Sequence, residues 1–164
     1  MAAQKKQILD PKLIDITINR LCQQLIENHG DFSNSVIIGL QPRGIYLARL
    51  IVDKLNNILG KKINFGLLDI TFHRDDFRRR DLPIKANTTQ IDFIIEDKNV
   101  IIVDDVLYTG RSVRAALDAM TAFGRPKKVE LLVLINRKYT RHLPIEPDYV
   151  GKSVNTLESQ RVLV

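Results

Sequence analysis

Val100-Ile101-Ile102-Val103-Asp104-Asp105-Val106-Leu107-Tyr108-Thr109-Gly110-Arg111-Ser112 decides the fold. Behind Asn99, its first four residues form an unbroken apolar run of the kind found in a strand covered on both faces, which is the signature of a central parallel strand. Asp104 and Asp105 are expected to end that strand. The polar, glycine-containing stretch behind them leads into a helix expected from Ser112, as N-cap, to Phe123. Gly124-Arg125-Pro126 stops it, and Val129 to Ile135 is a second buried strand. The unit is therefore β-α-β.

The same alternation extends toward the N-terminus. Asp10-Pro11 reads as an N-cap followed by proline at the first helical position, and Ile14, Ile18, Leu21 and Leu25 recur at helical spacing up to Gly30. Val36-Ile37-Ile38 is a short strand ended by Gly39, Ile45 to Leu59 is a helix closed by Gly60, and Lys62 to Ile70 is a strand. Short strands follow at Asp148 to Val150 and Arg161 to Val164. Alternating elements of this length predict an α/β domain, a mostly parallel twisted sheet with helices on both faces. Thr71 to Thr89 loses periodicity and carries Arg74, Asp75, Asp76, Arg78, Arg79, Arg80 and Asp81; a loop of this length is either a functional lid or disordered, which makes it a candidate mobile flap.

Composition narrows the classes. A chain of 164 residues with 45% hydrophobic and 27% charged residues suits one packed domain and excludes collagen-like, disordered and disulfide-framework proteins. Cys22, the single cysteine, has no internal disulfide partner, and Met1 to Asp10 lacks an apolar leader core, so a cytoplasmic setting is expected. The net charge of +6 suits polyanionic partners, either phosphorylated metabolites or nucleic acid, and equally suits a merely well-solvated surface.

In parallel sheets of this kind ligands bind beyond the carboxyl ends of the strands, which directs attention to the loops after Ile38 and Val103. Gly39-Leu40-Gln41-Pro42-Arg43-Gly44 places two glycines and an arginine between a strand and a helix, where amides and a guanidinium can face an anion. The glycine spacing partly imitates a P-loop, but Ile45-Tyr46 stands where Lys and Ser/Thr are required. By itself this loop is more often a turn. The loop after Val103 is more specific. Two adjacent carboxylates can accept from vicinal hydroxyls, and Thr109, Gly110, Arg111 and Ser112 offer hydroxyls and backbone N–H groups to a phosphate at the start of a helix. That combination suits a ribose 5-phosphate.

Val100 to Ser112 resembles the 5-phosphoribosyl-1-diphosphate (PRPP) signature of type I phosphoribosyltransferases. Within that family, the blocks Gln41 to Ala48, Leu68 to Thr71 followed by Arg74-Asp75-Asp76, Val103 to Arg111, Leu143-Pro144-Ile145 and Asp148 to Lys152 are similar to the PyrR regulators, and the likeness runs over nearly the whole chain. The resemblance implies one phosphoribosyltransferase domain over 1–164, with a flap over about 71–89 and a small hood from about 136 onward joined by the N-terminal segment. It implies that uracil and PRPP give UMP and diphosphate, with Mg2+ carried by PRPP rather than by a protein ligand. Asp104 and Asp105 would hold the ribose hydroxyls; Val106, Leu107, Tyr108, Thr109, Gly110, Arg111 and Ser112 would wrap the 5-phosphate. Gln41, Pro42 and Arg43 would form the pyrophosphate loop, with a cis peptide before Gln41 or Pro42, and Arg43 and Arg74 would assist departure of diphosphate.

The base would lie near Asn136 and Arg137, where Asn136 replaces the family's usual aspartate. Lys138 to His142 differs in length and residues from the family's usual segment. The resemblance also implies a UMP- or UTP-responsive contact with pyrimidine-operon messenger RNA through a basic face, for which Lys12, Arg20, Arg141, His142 and Lys152 remain, while Asp15, Ile16 and Gln23 depart from the family pattern. A homodimer is implied. Two alternatives stay open: a PRPP- or nucleotide-sensing attenuator without turnover, and a transferase for another base such as a purine. His29, His73 and His142 have no spaced partner and are expected to be solvent-exposed.

Overall fold

The computed structural model describes residues 4–71, 89–157 and 159–164. Helix α1, Pro11–His29, begins as its sequence dictates: the Asp10 carboxylate accepts from the Leu13 N–H at 2.8 Å and Pro11 occupies the first turn, where its missing donor costs nothing. Strand β1 spans Ser35–Gln41, α2 spans Gly44–Leu59 and β2 spans Phe65–Asp69. Strand β3 follows at Asn99–Leu107, α3 at Arg111–Met120 with a 3-10 turn at Thr121–Phe123, then β4 at Lys128–Lys138 and β5 at Tyr149–Asn155.

The five strands form one sheet in the order β2-β1-β3-β4-β5, and every neighbouring pair is parallel. An isolated antiparallel bridge joins Leu67 to Gln90. Helices cover both faces, as the β-α alternation requires. On one face Ile18, Leu21, Leu25, Leu47, Ile51 and Leu55 of α1 and α2 pack on Ile37, Ile101, Val103 and Leu132. On the other, Val113, Ala116, Ala119 and Met120 of α3 pack on Val36, Ile38, Ile102 and Val133. Beta-strand side chains alternate between faces, so both cores are written into single strands: Ile101 and Val103 serve one, Val100 and Ile102 the other.

Several boundaries differ from the sequence expectation. Strand β1 continues through Gly39 to Gln41, and β3 runs through Asp104 and Asp105 to Leu107, because β4 still offers a ladder at Val106↔Ile135 and Leu107↔Asn136. The loops at these strand ends therefore begin after Gln41 and Leu107 rather than after Ile38 and Val103. The N-cap of α3 is Gly110, with no side-chain cap, and Ser112 is already inside the helix. The second strand is shorter than expected, and β5 runs from Tyr149 to Asn155 instead of stopping at Val150. Arg161 to Val164 forms no strand. On the outer side of β5, the Arg20 guanidinium takes the carbonyls of Val150 and Gly151, the latter at 2.7 Å, while Val162 packs against the α1–α2 core. Most of the expected flap, including His73 and Arg74, lies outside the described residues.

Cys22 is fully buried in the α1–α2 core, its Sγ 3.8 Å from the Ile51 carbonyl. Burial pushes its thiol from 9.0 to about 11, partly opposed by Lys54, and burial together with Glu130 also raises the Tyr149 phenol. Both groups stay neutral in the fold, and the contribution of Cys22 is complete below pH 9 and is lost as pH rises through about 11. The expected outcome is negligible alkylation of Cys22 in native buffer at pH 8 and rapid alkylation in denaturant, with a melting temperature that falls above pH 9 less steeply in Cys22→Ala than in the parent. Comparable alkylation in both conditions would contradict this packing.

Candidate active site

Two strand ends and one helix start converge because of a missing side chain. A Cβ on Gly44 would lie 2.4 Å from the Val103 carbonyl oxygen and 3.0 Å from the Asp104 Cα. Only glycine lets the start of α2 sit directly on β3 at that level, bringing Gln41, Pro42 and Arg43 beside Asp104. The Gln41–Pro42 peptide is cis, so the expected cis bond falls on the X–Pro linkage rather than on a non-proline one. Arg43 is exposed and has no ion pair with the described residues; Gln41 is half-buried.

Asp104 is half-buried and Asp105 buried. Each carboxylate accepts from the following amide, Asp105 N–H at 2.9 Å and Val106 N–H at 2.8 Å, which fixes both side chains against their own backbone. The face alternation slips here. Val103 and Val106 both pack toward α1–α2, whereas Ile102 and Leu107 pack toward α3, so one residue of the pair is out of step. Strand β4 slips at the same level, since Leu134 and Ile135 both join the α1–α2 core.

Tyr108, Thr109 and Gly110 then turn the chain into α3. Gly110 holds φ +94°, a left-handed conformation that only glycine adopts without strain, and Ile145 and Leu143 close over it. Thr109 Oγ1 accepts from the Arg111 N–H at 3.3 Å. The first amides of α3 have no carbonyl partner four residues back, so this end of the helix favours an anion.

A second segment is stitched onto this loop. The amides of His142 and Leu143 donate to the Thr109 carbonyl at 2.9 and 3.3 Å, and the Tyr108 carbonyl accepts from Thr140 Oγ1 at 3.1 Å and Arg141 Nη1 at 2.8 Å. Arg141 also donates to the Ile145 carbonyl at 2.9 Å, to the Arg137 carbonyl at 3.0 Å and to Asn136 Oδ1. Periodicity gave no sign of this hub, because its acceptors are mostly carbonyls of an irregular chain. Asn136 and Arg137 are both buried beside it, but the Arg137 guanidinium turns to the C-terminal segment.

The basic residues do not form one patch. Arg20 and Lys152 both meet β5 or its neighbours, Lys152 reaching the Ile8 carbonyl at 3.3 Å, and His142 is exposed on the stitched segment. Arg141 is drawn inward, with its guanidinium committed as described. Lys12 stands exposed at the start of α1.

His29 corrects the expectation of exposure. Its side chain is 3% exposed, with Nε2 2.9 Å from Glu130 and Nδ1 2.7 Å from Ser35 Oγ, and the Tyr149 hydroxyl stands 3.3 Å from Nε2. This cluster spans α1, β1, β4 and β5 at the end of the sheet opposite the Asp104 loop, so it is a satisfied structural network. Among the described residues, no three His, Cys, Asp or Glu side chains gather as a metal site, and no helix is long and apolar enough to cross a membrane.

The family model "Phosphoribosyl transferase domain" matches residues 4–163. "Bifunctional protein PyrR" of Acetivibrio thermocellus is 49% identical over 152 residues, covering 93% of this chain and 82% of that protein. The protein of the same name from Bacillus subtilis is 41% identical over 165 residues, covering 98% and 90%. The chain belongs to the PyrR family. Among solved structures, a hypoxanthine-guanine phosphoribosyltransferase from Bacillus anthracis superposes with TM-score 0.71 at 16% identity, over 93% of this chain and 86% of that one. A purine phosphoribosyltransferase from Pyrococcus horikoshii gives 0.61 at 24%, over 95% and 94%. These likenesses carry the fold, and the PyrR family carries the finer relationship.

The Gly44 approach gives a direct test of the site. Gly44→Ala is expected to cost about 1–3 kcal/mol of stability by overpacking. It should also reduce affinity for PRPP, because α2 must back away from β3. Chemical denaturation and calorimetric PRPP titration measure the two effects, and a variant with unchanged affinity would show that this contact does not position the Gln41–Arg43 loop for that ligand.

Proposed function

We propose that this PyrR-family chain transfers the ribose 5-phosphate of PRPP to N1 of uracil, and that it also binds pyrimidine-operon messenger RNA in response to UMP or UTP. The observation that carries the catalytic half is the continuous run from the Asp104–Asp105 carboxylates on β3, through Tyr108 and Thr109, to the amide-rich start of α3 at Gly110. In this reading Asp104 and Asp105 accept from the ribose 2- and 3-hydroxyls, and Val106 to Ser112 surround the 5-phosphate. Gln41, Pro42 and Arg43 face the diphosphate.

As the C1–diphosphate bond breaks, the bond to uracil N1 forms, the N1 proton leaves to solvent, and the diphosphate carries off the bonding pair. Positive character grows on the sugar and negative charge on the leaving group. Arg43, and Arg74 from the flap, would stabilise that charge, and closure of the flap would keep water from the reacting carbon. Mg2+ belongs on the substrate: hard oxygens of PRPP would hold it, with the Asp104 and Asp105 carboxylates near by, and it would neutralise diphosphate charge. The hood beginning near residue 136 would cover the base, where Asn136 offers an amide in place of a carboxylate.

The regulatory half is supported by family membership, with Lys12, Arg20 and Lys152 as exposed basic residues. A homodimer in the cytoplasm completes the reading. Exposed apolar side chains on α1 and α2, Leu13, Ile16, Tyr46 and Leu50, support association, and the buried free thiol of Cys22 suits a reducing compartment.

The deciding assay is UMP formation from uracil, PRPP and magnesium, with hypoxanthine, guanine, adenine and orotate run in parallel. Turnover confined to uracil is expected; turnover on a purine would replace the substrate, and silence on all five would leave a sensor. Asp105→Asn should lower kcat by about a hundredfold while the protein stays folded, since an amide presents one acceptor where the carboxylate presents two. Arg20→Ala should keep turnover, weaken binding to the operon RNA, and reduce the slope of log affinity against log salt by about one. Loss of UMP formation in that variant would put the RNA face in the wrong place.

A further inference from the structure

Arg137, which the family resemblance puts near the base, is 6% exposed, and its guanidinium meets Tyr108 and the C-terminal segment instead. It stacks over the Tyr108 ring, its Cζ 4.1 Å from the ring centroid. Nε donates to Thr156 Oγ1 at 2.7 Å, and Nη2 donates to the carbonyls of Leu157 and Gln160 at 3.0 and 2.9 Å. The C-terminal segment is shaped to receive it: Gln160 N–H donates to the Leu157 carbonyl at 3.0 Å, and Gln160 Oε1 accepts from the Leu157 N–H at 2.7 Å. One planar cation thus joins the phosphate loop on its ring face to three acceptors of the tail. Lysine, with a single point charge, lacks both the stacking plane and the fork.

We propose that Arg137 is a positioning residue that couples Thr156, Leu157 and Gln160 of the C-terminal segment to the PRPP-binding loop through Tyr108. This inference rests on the phosphoribosyltransferase reading. The Tyr108 carbonyl is already pinned from the hood by Thr140 and Arg141, so the ring is the remaining handle on this residue, and Arg137 holds it. Release of the tail would free the guanidinium and let the Tyr108–Gly110 turn relax away from the geometry a 5-phosphate needs. Because the Arg137 guanidinium meets the Tyr108 ring and the C-terminal segment, its loss should act on PRPP binding rather than on the chemical step.

The test compares full-length parent, Arg137→Lys, Arg137→Met, Thr156→Val and Thr156→Ser for kcat, KM for PRPP and melting temperature, with calorimetric titration of Mg-PRPP. Both Arg137 variants should raise KM for PRPP about tenfold with kcat within about twofold. Thr156→Val should raise it about threefold, Thr156→Ser should restore the parent value, and Arg137→Met combined with Thr156→Val should be no worse than Arg137→Met alone. A folded Arg137→Met with parental KM overturns the latch while leaving the transferase intact, as do equal effects of Val and Ser at position 156. If Arg137→Met does not fold, the two Thr156 variants decide the matter. A parent that turns over no base and binds no Mg-PRPP overturns the transferase reading and the latch together.

Discussion

The contact between Gly44 and the β3 backbone at Val103–Asp104 is the constraint on which the site depends. In a parallel sheet the strand ends all point the same way, but ends of neighbouring strands serve one ligand only if the helices that follow them pack close to the sheet. With no Cβ at residue 44, α2 settles against the Val103 carbonyl, and the Gln41–Arg43 turn stands next to the acidic end of β3. Any side chain there would push the helix outward and separate the loop proposed for diphosphate from the carboxylates proposed for the ribose.

The Tyr108–Gly110 turn, proposed for the phosphate, is held differently. Its own sequence supplies the left-handed turn at Gly110 and little else, so its shape comes from the hood segment. Backbone amides of His142 and Leu143, the Thr140 hydroxyl and the Arg141 and Arg137 guanidinium groups all converge on Tyr108 and Thr109. An irregular loop exposes carbonyls that water would otherwise satisfy; Arg141, the Thr140 hydroxyl and two backbone amides replace that water with fixed donors, while Arg137 holds the Tyr108 ring. The part of the molecule expected to recognise the base is therefore mechanically continuous with the part expected to grip the phosphate.

The opposite end of the sheet is organised around charge that has no role in this chemistry. His29, Glu130, Ser35, Asn28 and Tyr149 satisfy one another where α1 meets the starts of β1, β4 and β5. A buried carboxylate without the histidine would be costly, and the histidine without the carboxylate and hydroxyls equally so. Sequence spacing gave no warning, because these residues are brought together from positions 28 to 149 by the sheet alone.

The amino-acid sequence by itself determined the α/β alternation, the capped start of α1, the all-apolar core of β3 and the acid-then-glycine pattern of Val103 to Ser112, because these depend on local spacing and on which face a side chain takes. The family resemblance was legible in the same blocks, and the family comparisons bear it out. Tertiary structure alone decided where β3 and β1 stop, since a strand continues as long as a neighbour offers a ladder, and it drew Arg141 inward, turned Arg137 to the tail and buried His29. Those outcomes rest on carbonyls, carboxylates and rings contributed by distant segments, and a long polar side chain goes where its hydrogen bonds can be completed rather than where its sequence neighbours point.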